Sequence, residues 1–299
     1  MVDQKFKPDL VLLESPDWMD YELLDSGEGT KLERYGLYTF VRPEHRALWR
    51  RALPAVHWQK ADAVFQSTSE ESGGYWKFQT SIEGPWEMSY KRLRFLVQAN
   101  PSRHMGVFPE QAVHWDWIQN QIKASKRPTK ILNLFGYTGL ATLAAAQAGA
   151  HVTHVDASKK SVSWARENQS LSNLANQPIR WIVDDVDKFV SREKRRGSRY
   201  DGIILDPPKF GRGPSGQVWE FFDSLPGLLQ NCRQLLTDQP VFVVMTAYAI
   251  RSSALSIYYA LRETLNEYQG SFTAGELVLS EKSAGRLISM AIFCRWSSL

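Results

Sequence analysis

The chain has 299 residues, 43% of them hydrophobic and 23% charged, enough to bury a full core and to build two domains. This excludes disorder, a collagen repeat and a small disulfide scaffold. Against 32 Asp and Glu, 36 Lys and Arg leave a formal charge of +4, which favours an anionic partner only mildly. The two cysteines, Cys232 and Cys294, are too few for a Cys-rich zinc site or a disulfide framework and fit a reducing compartment. The expected location is therefore the cytoplasm, with no metal site.

The apolar piece at 10–13 is too short for a signal-peptide core or a membrane span, so neither secretion nor a membrane is expected. Residues 1–100 read as a small α+β domain rich in aromatics (Trp18, Trp49, Trp58, Trp76, Trp86). Strand-like runs lie at 37–41, 75–80 and 94–98, with a polar loop at 67–74. One helix is predicted over 43–53, from Pro43 at its start and from Leu48 and Ala52 spaced four apart.

Residues 101–299 form the second predicted domain. From Thr129 onward, short β-branched runs alternate with longer amphipathic ones, the pattern of βαβ units and a parallel sheet. Strands are predicted at 130–135, 151–156, 179–183, 202–205 and 241–246, and helices at 140–148, 159–173, 186–196, up to 236, and 254–265. The runs 274–279 and 287–293 read as an antiparallel pair closing the sheet. Asp206-Pro207-Pro208 follows the 202–205 strand directly, and the double proline sets the sheet edge there. The segment 211–216 is a Gly/Pro-rich loop.

A strand, a glycine-containing turn and a helix, with an acid ending the next strand, is a recipe for holding an adenosine nucleoside. The acid is Asp156, 20 residues after Gly136, suited to accept both ribose hydroxyls, while Gly136 and Gly139 admit the ligand to the backbone. Asn-Leu-Phe-Gly-Tyr-Thr-Gly (133–139) lacks the G-x-G-x-x-G spacing that makes room for a pyrophosphate and carries bulky Phe135 and Tyr137 instead. This disfavours a dinucleotide. Asp184-Asp185-Val186 ends the third strand, where a carboxylate can accept the adenine amine and the next N–H can meet a ring nitrogen. Helix capping is the common alternative use of such an acid. In Asp206-Pro207-Pro208-Lys209-Phe210, the Asp206 carboxylate and the Pro207 carbonyl can orient a planar base while Phe210 stacks on it.

These motifs resemble the S-adenosylmethionine-dependent RNA methyltransferases similar to the large-subunit ribosomal RNA methyltransferase I group, over roughly residues 105–296. The resemblance implies an α/β fold, the class I (Rossmann-like) seven-stranded sheet with a small N-terminal α+β domain. It also implies S-adenosyl-L-methionine as cofactor and RNA, ribosomal RNA above all, as partner. Gly-Val-Phe-Pro-Glu-Gln (106–111) is similar to the family's Gly-x-Phe-x-x-Gln segment, which makes Phe108 and Gln111 cofactor candidates. Phe135, Tyr137, Thr138, Asp156, Ser158, Asp185 and Asp206 follow as cofactor or active-site positions, with Asn133, Gly136, Ala157 and Val186 from the same motifs.

Family members that methylate cytosine C5 carry a nucleophilic cysteine just after the fifth strand, where this chain has Met245-Thr246-Ala247-Tyr248. Transfer to a base nitrogen is therefore favoured over C5, and the separate RNA-binding module with which such proteins often begin is not expected ahead of Pro43. The 211–216 loop could close as a lid. Lys91, Arg92, Arg94 and Arg103 with Trp86 and Tyr90 could track an RNA backbone, and Arg192 to Arg199 read as an exposed helix face. Methyl transfer to protein or a small molecule, and a non-catalytic cofactor- or RNA-binding module, are the rival readings. Oligomeric state is open.

Overall fold

The computed structural model describes residues 7–68, 73–100, 103–213 and 216–299. The middle of the loop expected at 67–74, and Pro214 and Ser215 of the loop expected at 211–216, lie outside the described residues. The piece read only as a short apolar run is a strand, β1 (Leu10–Glu14). There follow β2 (Tyr21–Gly27), β3 (Thr30–Tyr35), β4 (Tyr38–Pro43), the short helix α1 (Ala55–Gln59), β5 (Ala63–Ser67) and β6 (Gly74–Phe78). Strands β2 to β6 form one sheet in sequence order, beside the hairpin of β7 (Trp86–Tyr90) and β8 (Leu93–Val97).

The helix expected over 43–53 does not form. The backbone N–H groups of Ala52 and Leu53 donate to the Asp25 carboxylate at 3.1 and 2.8 Å, and the Trp49 and Ala47 carbonyls accept from Glu28 and Gly29 at 2.8 and 2.9 Å. These long-range bonds use backbone groups that a helical ladder would need. Leu48, one of the two residues behind the expectation, is 88% exposed and packs on nothing.

A 3₁₀ turn (Pro109–Gln111) leads into α2 (Ala112–Ala124). Then come β9 (Lys130–Leu134), α3 (Leu140–Gln147), β10 (His151–Asp156), α4 (Lys159–Leu171), β11 (Ile179–Val183), α5 (Val186–Arg195) and β12 (Gly202–Leu205). The chain continues through β13 (Phe210–Arg212), β14 (Val218–Glu220), α6 (Phe221–Arg233), β15 (Phe242–Ala247), α7 (Ala254–Thr264), β16 (Ser271–Ser280) and β17 (Leu287–Ser297). The large sheet runs β1-β16-β17-β15-β12-β9-β10-β11, with β17 antiparallel to both of its neighbours.

The sheet thus has eight strands where seven were expected. The extra one, β1, pairs in parallel with β16, and Gly275 makes this approach possible: a Cβ there would overlap the Val11 carbonyl. Strand β12 lies inside the sheet, so the edge set by the double proline is its carboxyl-end rim and not a lateral edge. Successive residues of β9, β12 and β15 point to opposite faces. Ile131, Ile204 and Val244 pack under α2 and α3, while Leu132, Ile203 and Val243 pack under α5, α6 and α7. Burial on both faces explains why these strands read as unbroken apolar runs. A third cluster joins Tyr35, Phe40 and Phe95 of the small sheets to Trp115, Leu140 and Leu143, so the N-terminal aromatics are core of the whole molecule. No described helix is long and apolar enough to cross a membrane.

Candidate active site

The carboxyl ends of β9, β10, β11 and β12 bring most of the candidate residues together. One cavity there is lined by Phe108, Gln111, Asn133, Phe135, Gly136, Tyr137, Thr138 and Asp206. The β9–α3 turn at its floor holds two bulky residues, Phe135 and Tyr137, at φ of 58° and 49°. Such positive values persist in non-glycine residues only where the surroundings enforce them. The enforcing groups are visible. Asp156 Oδ2 accepts the Tyr137 N–H at 2.8 Å, Thr138 Oγ1 donates to the Gly106 carbonyl at 2.7 Å, and Asn168 Nδ2 donates to the Thr138 carbonyl at 3.0 Å.

Beneath the turn, Asn133 Nδ2 donates to Thr142 Oγ1 at 2.8 Å, which in turn meets His154 Nδ1 at 2.9 Å. Burial holds the His154 imidazole at about 3, so it is neutral. A Cβ on Gly136 would overlap that ring. Gly136→Ala is accordingly expected to push the turn into the cavity, costing about 1–3 kcal/mol of stability and weakening cofactor binding at least tenfold. Calorimetric titration alongside thermal melts checks both effects, and unchanged affinity would refute the assignment of this turn.

Asp156 is half-buried at the carboxyl end of β10, beneath the turn that floors the cavity. Its Oδ1 accepts the Ser158 N–H at 2.8 Å, and burial raises its pKa against these two backbone bonds. Each carboxylate oxygen retains a lone pair for a further donor. Ser158 also caps α4 by accepting the Ser161 N–H at 3.1 Å, and Ala157 lies between the two. Asp185 performs the capping job named as its alternative: its Oδ1 accepts the Lys188 N–H at 3.0 Å. Its Oδ2 faces the Gly213 backbone, while the Val186 side chain belongs to the core. Asp184 is engaged by Arg192 at 2.7 Å.

Asp206 keeps part of its surface toward the cavity but lies deep below the rim. Burial first, then the nearby Glu110 charge, push its carboxyl up to about 8, against a bond donated by Gln111 Nε2 at 3.2 Å. Pro207 is buried, whereas Pro208 and Lys209 are exposed and Phe210 is 49% exposed at the mouth. Of the loop expected at 211–216, Gly211 and Arg212 lie in β13, which pairs antiparallel with β14. Trp219 of β14 anchors it, donating Nε1–H to the Pro208 carbonyl at 2.7 Å and meeting the Phe135 ring edge-on at 4.9 Å.

Three contributors escaped the sequence reading. Trp219 is one; Glu110 and Tyr248 are the others. Tyr248 packs on Phe108 at 5.0 Å between ring centroids, and Phe108 meets Tyr137 at 5.8 Å, so aromatic rings wall one side of the site. Glu110 lies inside a segment already marked at 106–111, but one of six residues there could not be singled out without neighbours.

Other expectations dissolve. Lys91 pairs with Asp116 at 2.7 Å and Arg94 with Glu87, while Tyr90 is buried with its hydroxyl on Asp116. Trp86 stacks on Phe40 and donates to the Tyr35 carbonyl. The Trp86 and Tyr90 rings therefore pack into the fold and offer no stacking platform, while Lys91, Arg92 and Arg94 keep exposed side chains. Cys232 and Cys294 are core residues away from the cavity; burial raises both thiols, Cys294 to about 12.

The donor set suits an adenosine bearing a sulfonium: Gly136 packs its backbone directly on the His154 ring, Phe108, Phe135 and Tyr137 give the cavity aromatic walls, Asp206 lines it, and Asp156 ends the neighbouring strand beneath the Tyr137 amide. A family model described as S-adenosylmethionine-dependent methyltransferase matches residues 43–267. The crystal structure of an SAM-dependent methyltransferase from Agrobacterium tumefaciens is 49% identical, with a TM-score of 0.92 over 97% of this chain and 94% of that one. The ribosomal RNA large subunit methyltransferase K/L of Hahella chejuensis is 33% identical over 157 residues, 52% of this chain and 21% of that protein. The ribosomal RNA large subunit methyltransferase I of Shewanella frigidimarina is 38% identical over 86 residues, 28% of this chain and 22% of that protein. The matches thus span about a fifth of each curated relative's length.

Proposed function

The chain belongs to the S-adenosylmethionine-dependent methyltransferase family, and from that premise we propose that it methylates a base nitrogen in RNA, ribosomal RNA above all. The observation that carries this reading is the juxtaposition of a buried carboxyl, Asp206, with an exposed aromatic, Phe210, four residues on, beside a cavity that contains no cysteine. A C5 methyltransferase needs a thiolate in reach of the base, whereas a nitrogen has its own lone pair. The relatives named as ribosomal RNA methyltransferases support RNA as the substrate.

When bound, S-adenosylmethionine supplies an electrophilic methyl carbon. Asp156 would hold the ribose hydroxyls, the 135–139 turn the nucleoside, Phe108 and Tyr137 its apolar flank, and Asp185 with the Val186 N–H the adenine edge. Phe210 stacks on the acceptor base while Asp206 and the Pro207 carbonyl align the acceptor nitrogen. That nitrogen would form the C–N bond with its lone pair as the S–C bond's electrons stayed with sulfur, and the Asp206 carboxylate would take its surplus proton. Residues 101–299, with β1, serve as the catalytic unit and the remainder of 1–100 faces the substrate. The two buried, unpaired cysteines support the cytoplasm as its location.

The test is transfer of labelled methyl groups into total RNA from cells lacking the protein, followed by nucleoside analysis. Label in one N-methylated nucleoside is expected. Label at cytosine C5 would overturn the nitrogen assignment, and label confined to protein or small molecules would overturn RNA.

A further inference from the structure

We propose that Glu110 is the second carboxylate of the methyl-transfer site and that, with Asp206, it makes the site select the cationic cofactor over the neutral thioether product. Glu110 is 1% exposed, on the turn whose next residue, Gln111, holds Asp206. Its Oε1 completes no well-formed hydrogen bond among the described residues; the buried Tyr248 hydroxyl faces it and Gln111 without closing one, and lies within the fields of both carboxyls. A buried carboxylate oxygen without a well-formed bond is costly, and such an oxygen on the residue next to Gln111, which lines the cavity, points to a group that arrives with the ligand.

The charges around it favour a cation. Lys31 and Arg42, the cations nearest Glu110, are engaged elsewhere. Arg42 bonds both oxygens of Glu33 at 2.7 and 2.8 Å, and Lys31 lies 3.3 Å from Glu33 and 3.9 Å from Glu44. Glu44 is shared with the half-exposed Arg46. Tyr21 and Tyr35 donate to Glu33, and burial with the neighbouring cations holds His104 at about 4, hence neutral. Among the described ion pairs, none ends on Glu110 or Asp206, and each carboxyl is pushed toward its protonated form, chiefly by burial. Two such carboxyls in one low-dielectric site share a proton until a positive ligand arrives and replaces it. Methyl transfer removes that positive charge, so the attraction ends with the reaction and the product leaves.

The inference rests on the cofactor assignment and not on RNA as substrate, so failure of the RNA reading leaves it standing. The test is titration of wild type and Glu110→Gln with S-adenosylmethionine and with S-adenosylhomocysteine at pH 8. Glu110→Gln is expected to weaken the cationic ligand about tenfold while changing the neutral one less than threefold. Equal weakening of both, or of neither, overturns the proposal. Should Glu110→Gln fail to fold, wild type decides alone: the ratio of the two affinities must rise in favour of the cation between pH 6 and 9, and a flat ratio overturns it.

Discussion

Asp206→Ala is expected to lower the rate of methyl transfer, at saturating cofactor, by about a thousandfold. The carboxyl sits at the end of β12, inside the cavity, with Gln111 as its described hydrogen-bond partner, so its removal deletes both the acceptor that aligns the nucleophile and the group that takes its proton. Because the described hydrogen bond of the Asp206 side chain goes to Gln111 and not to the 135–139 turn, alanine leaves that turn and its Asp156 anchor intact. Affinity for neutral S-adenosylhomocysteine should therefore stay within threefold of wild type. Single-turnover rates with labelled cofactor, set beside that affinity, separate chemistry from binding. Retention of more than a tenth of the rate would show that alignment depends on other groups.

Asp206→Asn, by contrast, should make the ligand-free protein more stable. A carboxyl held at about 8 in the folded chain, against 3.8 for the unperturbed group, binds its proton more tightly when folded. Folded-state stability from this group is then fully present below about pH 4 and is lost as pH rises toward 8. At pH 7 the loss approaches about 4 kcal/mol as an upper bound, which water entering the cavity reduces. Asparagine has the shape of the protonated form without its titration. The gain from Asp206→Asn should accordingly be near zero at pH 4 and grow steadily to pH 8, measured by denaturant unfolding across that range. A difference independent of pH would mean that burial does not hold the proton on Asp206. This is the trade of stability for activity expected where a polar group is kept dry for chemistry.

Much of this architecture was legible from local patterns. The strands at His151–Asp156, Ile179–Val183 and Gly202–Leu205 have the predicted bounds: β12, buried on both faces, shows itself as an apolar run between turn residues, and the β-branched and aromatic residues of β10 and of the edge strand β11 mark theirs. The candidate residues were legible for the same reason. Asp156 ends β10, Asp206 follows β12 directly and Asp185 stands two residues past β11, and in a parallel sheet these strands end at the same rim. Where local and distant bonds compete, the pattern misled. Leu48 and Ala52 have helical spacing, yet Asp25, far away in sequence, captures the amides of that segment.

The sequence by itself determined the βαβ order, the glycine-containing turn at 133–139 and the Asp-Pro-Pro-Lys-Phe segment, since these are short-range features of burial period and backbone stiffness. Only the tertiary structure decided that β1 completes the sheet beside Gly275, that Asp185 caps a helix, that Trp219 pins the hairpin to Pro208, and that Glu110 and Tyr248 face each other near Asp206 without a well-formed bond. Each of these depends on which group lies across a gap between segments distant in the chain, and the charge state of a carboxyl follows from that surrounding and not from its neighbours in sequence.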